Sequence, residues 1–464
     1  MSGVVLGIPP ATLDLIQRGL LERAFHDGLF PALQYRAEAL VEQWEGNTGQ
    51  EIFMSRPGLL TPIVEPLTPG NDPVPQSVSY EQWIARLDRF AGTVDTHLPT
   101  SATANANLFL RNIHQLGLQA GQSINRVPRN ALFQAYLSGQ TCSTVAGAAI
   151  DTLLKVAALN GFTEVVIPGT NVRPATVSPL NPLPITIFGV TGSRNVIGAI
   201  PDNPADPIGP GTLILSAALG AIVAVRSPVL SSAKPRVIRS GGGDSVDSIG
   251  AADTLVLQDI INAVSILRDA NVAPHDDGWY HAHVAPLSNA QVFTDPAWQR
   301  LNTALPDHVY YKEAFLGTIA GMMAFMNTES PNTRNSGTLT ATGTNAKYAK
   351  NIGAEVTNES NVNIGRVIVT GKGSIYERYY DESGYVSEAG LVGKVGEFQI
   401  VNQGIQVMTE RIRLYLRAPQ DRLGDVAAAT WSISTCFPIP TDITSGGPER
   451  YKRAVVIEHA VLAR

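Results

Sequence analysis

The chain has 464 residues, of which 44% are hydrophobic, and its formal net charge is −6 at pH 7. That length can bury a large core and predicts about two to four substructures, at roughly one per 150 residues. The negative charge gives no overall positive field for nucleic-acid phosphates, which argues against a sequence-reading nucleic-acid binder. The two cysteines, Cys142 and Cys436, lack the spacing of a zinc cage or a disulfide framework, which is typical of a reducing compartment.

Export and membrane insertion are not indicated by the sequence. The first ten residues lack a basic segment, and no run of eighteen apolar residues occurs. Further along, apolar residues recur three or four positions apart between residues 11 and 45, around a break near residues 28–31. This spacing predicts two amphipathic helices.

A proline-rich segment follows, from residue 46 to 99. Two β-like runs, residues 59–67 and 78–90, flank a Pro/Gly-containing stretch at 68–75, which predicts a long hairpin. An isolated two-stranded ribbon is marginally stable in water, so we expect this one to lie on another chain. Residues 47–99 contain no lysine.

The best candidate for a long helix is residues 101–137. Its apolar residues recur at helical spacing, and Ser101 and Thr103 are candidate N-caps. Pro128 is expected to kink the helix or to mark a second start. From 161 to 243 the pattern changes to short β runs at 162–168, 185–190, 195–200, 211–215 and 221–225, which predicts an inserted β-module with a glycine exit at 241–243.

The rest of the chain alternates helical and strand patterns. Asp253 or Thr254 is predicted to cap a helix that extends through Leu267, and residues 279–285 and 295–301 are predicted as a strand and a short helix. Further strands are expected at 366–369, 396–401, 411–416, 430–437 and 453–459. Residues 330–345 are the best candidate for a mobile loop. The fold class is therefore α+β, without regular βαβ alternation.

Several patterns that could carry chemistry were weighed against plainer readings. Residues 365–373 resemble a phosphate loop only superficially, and a strand-to-turn junction is the better interpretation. His281 and His283 would lie on one face of a strand, with Asp276 and Asp277 upstream, but no distant third metal ligand is identifiable. Cys142 is expected to be a small buried residue. We therefore expect no catalytic residues, no metal and no cofactor.

The amino-acid sequences of four segments resemble those of a known family. The sequence reads Leu255-x-Leu-x-Asp-Ile-x-x-Ala263, then Ile266-Leu-Arg-x-Ala-Asn-Val272, then Gly278-Trp-Tyr-His-Ala-His-Val-Ala-Pro286, then Asp295-Pro-Ala-Trp298. Together with the element order, these segments resemble the coat proteins of tailed bacteriophages with the Hong Kong 97-type fold. Ala285 stands where that family usually has a histidine, and the inserted β-module is similar in placement to that of some short-tailed-phage coats.

The resemblance implies a domain plan and no enzymatic activity. The expected parts are an N-terminal arm (1–46), an extended hairpin loop (47–99), a spine helix with the start of the core (100–160), an inserted β-domain (161–243), an axial domain with peripheral-domain elements (244–440) and a C-terminal strand of the peripheral domain (441–464). The implied function is that of a major capsid protein which self-assembles into an icosahedral shell around the phage genome.

The partners implied by the resemblance are copies of the chain in hexamers and pentamers, a scaffolding protein, a portal, a possible decoration protein and encapsidated double-stranded DNA bound without sequence specificity. No membrane is implied, and the expected location is the virion, assembled in the host cytoplasm. The alternatives are another virion protein, such as a tail-tube or decoration subunit, or a metal-dependent enzyme built around His281, His283 and Asp276 or Asp277.

Charged residues of the hairpin are the candidates for contacts between subunits. Their mixed signs suit pairing with a neighbouring chain, although solvent-facing charges of little energetic worth are the plainer reading. The candidates are Arg56, Glu65, Asp72, Glu81, Arg86, Asp88 and Arg89. Some relatives crosslink subunits through lysine and asparagine, and the absence of lysine from 47–99 predicts no such crosslink in this hairpin.

Overall fold

The computed structural model describes most of the chain, and every structural statement below concerns that part. The described residues are 25, 34–45, 49–58, 60, 62–67, 70–97, 108–166, 173–302, 318–333, 362–380, 393–395, 398–401, 404–409, 412–417, 426–442 and 450–461. The first predicted helix apart from Phe25, the candidate caps Ser101 and Thr103, and most of the predicted loop at 330–345 lie outside these residues.

The described helices fall in the middle of the chain. They are α1 (Leu108–Tyr136), α2 (Leu257–Asp269), α3 (Pro286–Thr294) and α4 (Pro296–Asn302). The predicted long helix is thus confirmed as α1, and it continues through Pro128 without a second start. Short 3₁₀ turns occur at Arg36–Glu38 and Val246–Ser248.

Strands make up the larger part of the regular structure. Those before α2 are β1 (Leu40–Gln43), β2 (Glu51–Pro57), β3 (Tyr80–Arg86), β4 (Asp88–His97), β5 (Gln140–Cys142), β6 (Leu153–Val156), β7 (Glu164–Val165), β8 (Ala175–Thr176), β9 (Leu183–Ile187), β10 (Arg194–Pro201), β11 (Gly211–Leu215), β12 (Pro228–Ser231) and β13 (Val237–Arg239). Those after α2 are β14 (Tyr280–Val284), β15 (Thr318–Ile319), β16 (Met322–Met326), β17 (Asn332–Thr333), β18 (Asn363–Thr370), β19 (Tyr376–Tyr379), β20 (Gly393–Val395), β21 (Phe398–Val401), β22 (Gly404–Thr409), β23 (Ile412–Arg417), β24 (Val426–Cys436) and β25 (Ala454–Val461). The mixed α+β class is confirmed.

The chain divides into two compact units. The first comprises residues 1–52, 84–129 and 375–438, and the second comprises 53–83, 130–374 and 439–464. In the first unit one sheet has the order β1-β19-β24-β23-β22-β21-β20, with β4 also paired to β24. Residues Ile113, Leu116, Ala120 and Ile124 form one stripe of α1 and pack with residues of β23 and β24. Their spacing of three and four residues is that of a helix with a single buried face.

The second predicted N-terminal helix is wrong. Residues Leu40–Gln43 form β1, which pairs in parallel with Tyr376–Tyr379. Just before β1, Arg36 donates two hydrogen bonds from Nε at 3.0 Å and one from Nη2 at 2.7 Å to the carboxylate of Glu377. Both side chains are buried. Backbone pairing with a strand more than 300 positions away therefore outweighs the local helical spacing.

The second unit contains a sheet with the order β13-β25-β18-β14-β16-β15, with β17 on β18. All eight residues of β25 are buried, and β25 pairs antiparallel with β18 along its full length. The strand lies between β18 and β13, and a strand that is buried along its whole length needs cover on both faces. That residues 441–464 form the C-terminal strand of the peripheral domain stays a prediction.

Helix α2 packs on this sheet through a buried stripe that includes Ile260, Val264 and Leu267. Asp253 and Thr254 do not cap it, because the helix begins at Leu257. The backbone N–H of Leu257 instead donates to Asp295 Oδ2 at 2.8 Å, and that of Val256 donates to Asp259 Oδ2 in the first turn at 3.4 Å. A cap supplied by a residue 38 positions away cannot be read from local sequence.

The inserted module is an antiparallel six-stranded sheet with the order β5-β12-β9-β10-β11-β6. Inward side chains at alternate positions, among them Leu154, Ile185, Val196 and Leu213, form its core with Phe162. The sheet begins at Gln140 and not at residue 161 as expected. The predicted run at 221–225 is reduced to one bridge, at Val223.

The hairpin is a two-stranded sheet of β2 and β3. The backbone N–H of Gly58 donates to Ser79 O at 2.7 Å and that of Leu87 donates to Gln50 O at 2.9 Å, so the strands are antiparallel. The predicted first strand at 59–67 is wrong, since the strand lies earlier, at Glu51–Pro57. Pro62 and Pro66 explain the error, because proline has no N–H to donate within a ladder.

A buried charge triplet lies at the centre of the second unit. Glu458 on β25 accepts hydrogen bonds from Arg239 Nε and Arg366 Nε, each at 3.0 Å. Burial by itself raises the pKa of Glu458, but the two guanidinium groups outweigh that effect and hold the pKa below its ordinary value. The next residue, His459, lies against Gly365, where an added Cβ would come within 2.7 Å of the imidazole Cε1.

We expect Glu458→Gln to destabilise the chain by about 3–5 kcal/mol, because two buried guanidinium groups would lose their counter-charge. Glu42→Gln is the matched control, since Glu42 pairs with Arg378 at a partly exposed position, where an ion pair is worth at most about 1 kcal/mol. Urea unfolding of the two variants measures the difference. Equal losses of unfolding free energy in the two variants would contradict the role of Glu458 as the buried counter-charge.

The pH dependence of stability should carry a contribution from His459. Burial lowers the pKa of His459 from 6.5 to about 4, so between these values the unfolded chain binds a proton that the folded chain does not. The free energy of unfolding should therefore fall as the pH drops from 6.5 towards 4, by about 3 kcal/mol in all. The His459→Gln chain should show a smaller fall, and an unchanged fall would refute the role of this imidazole.

Candidate assembly surfaces

The two faces of the hairpin differ in cover. Side chains alternate across a strand, so Met54, Trp83 and Ala85 lie on one face and are buried. Phe53, Tyr80 and Ile84 lie on the other face and are exposed. This second face thus carries three exposed large apolar side chains among polar ones, and the Arg173 guanidinium lies 5.0 Å from the centre of the Phe53 ring.

The hairpin tip is the segment 58–79, and its described residues extend this exposed surface. Its described apolar residues include Ile63 at 75%, Val64 at 88% and Val74 at 83% exposure. Glu65 and Asp72 are exposed as well, and the tip contains no lysine or arginine. The tip is consequently both apolar and negatively charged.

A cluster of buried charge fixes the hairpin ribbon at the end where its tip begins. Arg56 on β2 forms ion pairs with Glu81 on β3 and with Asp442, and its guanidinium lies 5.9 Å from the centre of the Trp83 ring. Arg453 Nε donates to the same Asp442 carboxylate at 3.0 Å. Glu81 and Asp442 are both buried. Sequence analysis missed Asp442 and Arg453, because nothing local marks a partner 386 residues away from Arg56.

The seven charged candidates therefore separate into different environments. Arg56 and Glu81 lie in the intrachain cluster just described. Arg86 is 4.0 Å from Glu51, and both side chains are largely exposed. The remaining four are exposed and fall into two groups: Glu65 and Asp72 in the tip, and Asp88 and Arg89 at the start of β4.

The inserted module has its own exposed apolar residues at one end. Hydrogen bonds at 2.9 Å in both directions join the backbones of Gly147 and Val223. The loops joined in this way carry the exposed side chains Val145, Ile150 and Ile222. This end is a second surface that the described residues leave uncovered.

The histidines considered for a metal site are held by neighbouring side chains. The His281 ring hydrogen-bonds Asp277 at 2.8 Å and stacks on His275, with the ring centres 4.0 Å apart. Partial burial by itself raises the pKa of Asp277, but the hydrogen bond from His281 lowers the pKa below its ordinary value. Asp276 pairs with Lys372 instead, and His283 is buried with its ring 5.8 Å from that of Phe325. Of the residues considered for a metal enzyme, His281 and Asp277 thus contact each other, whereas Asp276 and His283 have other neighbours. The described residues do not bring His283 together with that pair as a set of three ligands.

The other chemical patterns have plain structural explanations. Strand β18 ends at Thr370 and a turn follows, which confirms the strand-to-turn interpretation of residues 365–373. Cys142 is buried and free, as predicted. Cys436 is also buried and free, and burial raises the pKa of its thiol to about 12.

Helices in the described part of the chain are too short or too polar to cross a lipid bilayer. No protein-family model matches the sequence, and no curated protein matches it either. Solved structures do match over most of the chain.

Three of these structures are phage capsids. The capsid of Ralstonia phage GP4 is 12% identical with a TM-score of 0.45, over 92% of this chain and 87% of that one. The capsid structure of cyanophage P-SCSP1u is 9% identical with a TM-score of 0.47, over 93% and 89%. The capsid asymmetric unit of cyanophage Pam1 is 10% identical with a TM-score of 0.46, over 95% and 93%.

Arg56→Ala should loosen the hairpin, because Glu81 and Asp442 would remain buried without this guanidinium. We expect the backbone amides of β2 and β3 to exchange hydrogen at least about tenfold faster. Arg86→Ala on the same ribbon is the control, since its pair with Glu51 is exposed. Hydrogen exchange read by mass spectrometry makes the comparison, and similar rates in the two variants would contradict the anchoring role.

Proposed function

We propose that this chain is the major capsid protein of a tailed bacteriophage, with the Hong Kong 97-type fold, and that it self-assembles into the icosahedral shell around the genome. The observation that carries the proposal is a hairpin that is anchored where its tip begins and whose tip and outer face carry exposed large apolar side chains. The similar chains belong to phage capsids, and the proposal assigns this chain the same role.

The physics of the hairpin supports self-association. Contiguous exposed apolar surface on a soluble protein is typical of a binding surface. Burying one valine, leucine or isoleucine side chain contributes about 1.5–3 kcal/mol, so a neighbour that covers Ile63, Val64 and Val74 would gain several such contributions. A shell repeats this contact many times, and contacts that are weak one by one become collectively strong.

The proposed role is structural and not enzymatic. The buried charges described above, those around Glu458, Arg56 and Arg36, are paired within the chain and stabilise its fold. The long helix α1 and the large sheets supply extensive packed regular structure within the two units, which suits a shell subunit. The function of such a subunit is its shape and its surfaces.

The partners follow from this role. We propose copies of the chain in hexamers and pentamers, together with a scaffolding protein, a portal and a possible decoration protein, assembled in the host cytoplasm into the virion. The net charge of −6 suits enclosure of double-stranded DNA without sequence-specific binding. The four exposed candidates, Glu65, Asp72, Asp88 and Arg89, are proposed for contacts between subunits.

Electron microscopy of the purified chain tests the proposal. We expect closed shells, or hexamers and pentamers that close into shells when a scaffolding protein is supplied. Tubes would favour the tail-tube alternative. A compact monomer at high concentration, with the hairpin amides protected from exchange, would overturn the proposal.

Val64→Asp should impair assembly without unfolding the subunit, because this side chain is 88% exposed within one chain. We expect the protein concentration required for shells to rise at least about tenfold, since each copy of the contact would bury a charge. Leu180→Asp in the inserted module, at 90% exposure, is the control for an added surface charge. Assembly followed by light scattering should separate the two variants, and equal behaviour would argue against the tip as a contact.

A further inference from the structure

A small cavity of the second unit lies between the C-terminal end of α2 and the segment that leads into β25. Its volume is about 230 Å³, and its charged lining residues are Arg236, Asp269, Arg450 and Lys452. That volume is below the range of about 300–1,000 Å³ typical of pockets for whole small molecules. The cavity suits the head group of a side chain better than a free metabolite.

Arg450 is the feature that points to a ligand. Only 4% of its surface is exposed, and its Nε and Nη2 atoms are buried without a hydrogen-bond partner among the residues that the structure describes. A buried guanidinium with unused donors is costly unless an acceptor reaches it. Two adjacent N–H groups of arginine match the two oxygens of a carboxylate or a phosphate.

The surroundings of Arg450 limit the charge of that ligand. Arg236 and Lys452 add two positive charges, whereas Asp269 and the C-terminal end of α2 contribute negative potential. The carboxylates of Glu164 and Asp442 also act on Tyr451, another lining residue. This balance of charges suits one carboxylate better than a doubly charged phosphate. Tyr451, beside Arg450, has φ of 54°, and a bulky residue in this region marks a backbone held by its context and often a functional position.

The hairpin tip offers the complementary group. Glu65 and Asp72 are exposed, and residues 58–79 contain no basic side chain that would repel the cavity. Both carboxylates lie among exposed apolar residues, so docking would bury apolar surface together with the ion pair. Complementary charge of this kind sets the register in which two surfaces associate.

We propose that the cavity lined by Arg236, Arg450 and Lys452 binds a carboxylate, Glu65 or Asp72, from the hairpin tip of a second copy of this chain. The proposal rests on the proposed function, since it requires copies of the chain to associate. It adds to that function a specific acceptor site, which the sequence did not indicate.

The first test measures binding of a synthetic peptide of residues 58–79 to the full-length chain by fluorescence anisotropy. Neutralising the peptide with Glu65→Gln and Asp72→Asn should weaken binding at least about tenfold. Arg450→Gln in the full chain should have the same effect, and Lys452→Gln, nearer the surface, repeats the test if the buried variant does not fold. Lys372→Gln, an exposed lysine paired with Asp276, is the matched control and should bind normally.

A peptide that binds equally well after neutralisation, or does not bind, would overturn the proposal. Binding of inorganic phosphate, measured by calorimetry and lost in Lys452→Gln, together with an unresponsive peptide would overturn it in favour of a free anion. Wild-type shells with an unresponsive peptide would reject the acceptor site alone. Absence of shells would contradict the proposed function, while the peptide assay would still decide the site.

A charge exchange in assembly gives a second readout. Lys452→Glu and Glu65→Lys should each raise the protein concentration needed for shells about tenfold, and the two changes together should restore most of the loss. Asp72→Lys replaces Glu65→Lys in a parallel cycle, which identifies the carboxylate that docks. Additive losses in both cycles would overturn the pairing.

Discussion

The proposed assembly depends on the ion pairs of Arg56 with Glu81 and Asp442, at the end of the hairpin ribbon where the tip begins. A two-stranded ribbon alone is marginally stable in water, and this one has cover on a single face. The buried charges hold β2 and β3 together and to the body of the second unit, since Arg453 also binds Asp442. A ribbon anchored in this way can present an apolar tip to another chain without collapsing onto its own.

Buried ion pairs also join distant segments elsewhere in the chain. Glu377 holds Arg36 beside β1, and Glu458 holds Arg239 and Arg366 across three neighbouring strands. Each carboxylate joins segments that are far apart in sequence. Because a buried ion without its partner is strongly unfavourable, these pairs define which segments meet.

The hairpin tip and the cavity beside Arg450 are the two sides of the proposed contact between copies of the chain. The tip carries negative charge within apolar surface, and the cavity carries positive charge and a buried guanidinium. Apolar burial would supply most of the affinity, while the ion pair would set the register. Identical subunits that exchange such a contact can build a closed shell or an open array, and the geometry of repetition decides between them.

Periodicity and composition were enough to identify α1, the strand Tyr280–Val284, the short helix α4, the strands at the end of the chain and the β character of the inserted module, because each is marked by local spacing of apolar residues or by turn residues. Prolines identified a hairpin, although its first strand was placed too late. Tertiary structure alone decided that Leu40–Gln43 is a strand and that β25 lies beside β18. It also decided that Asp295 accepts a hydrogen bond from the N-terminus of α2, and that Asp442 pairs with Arg56 where the hairpin tip begins. Each of these depends on a partner distant in the chain, and a contact between distant residues leaves no local signal in either segment.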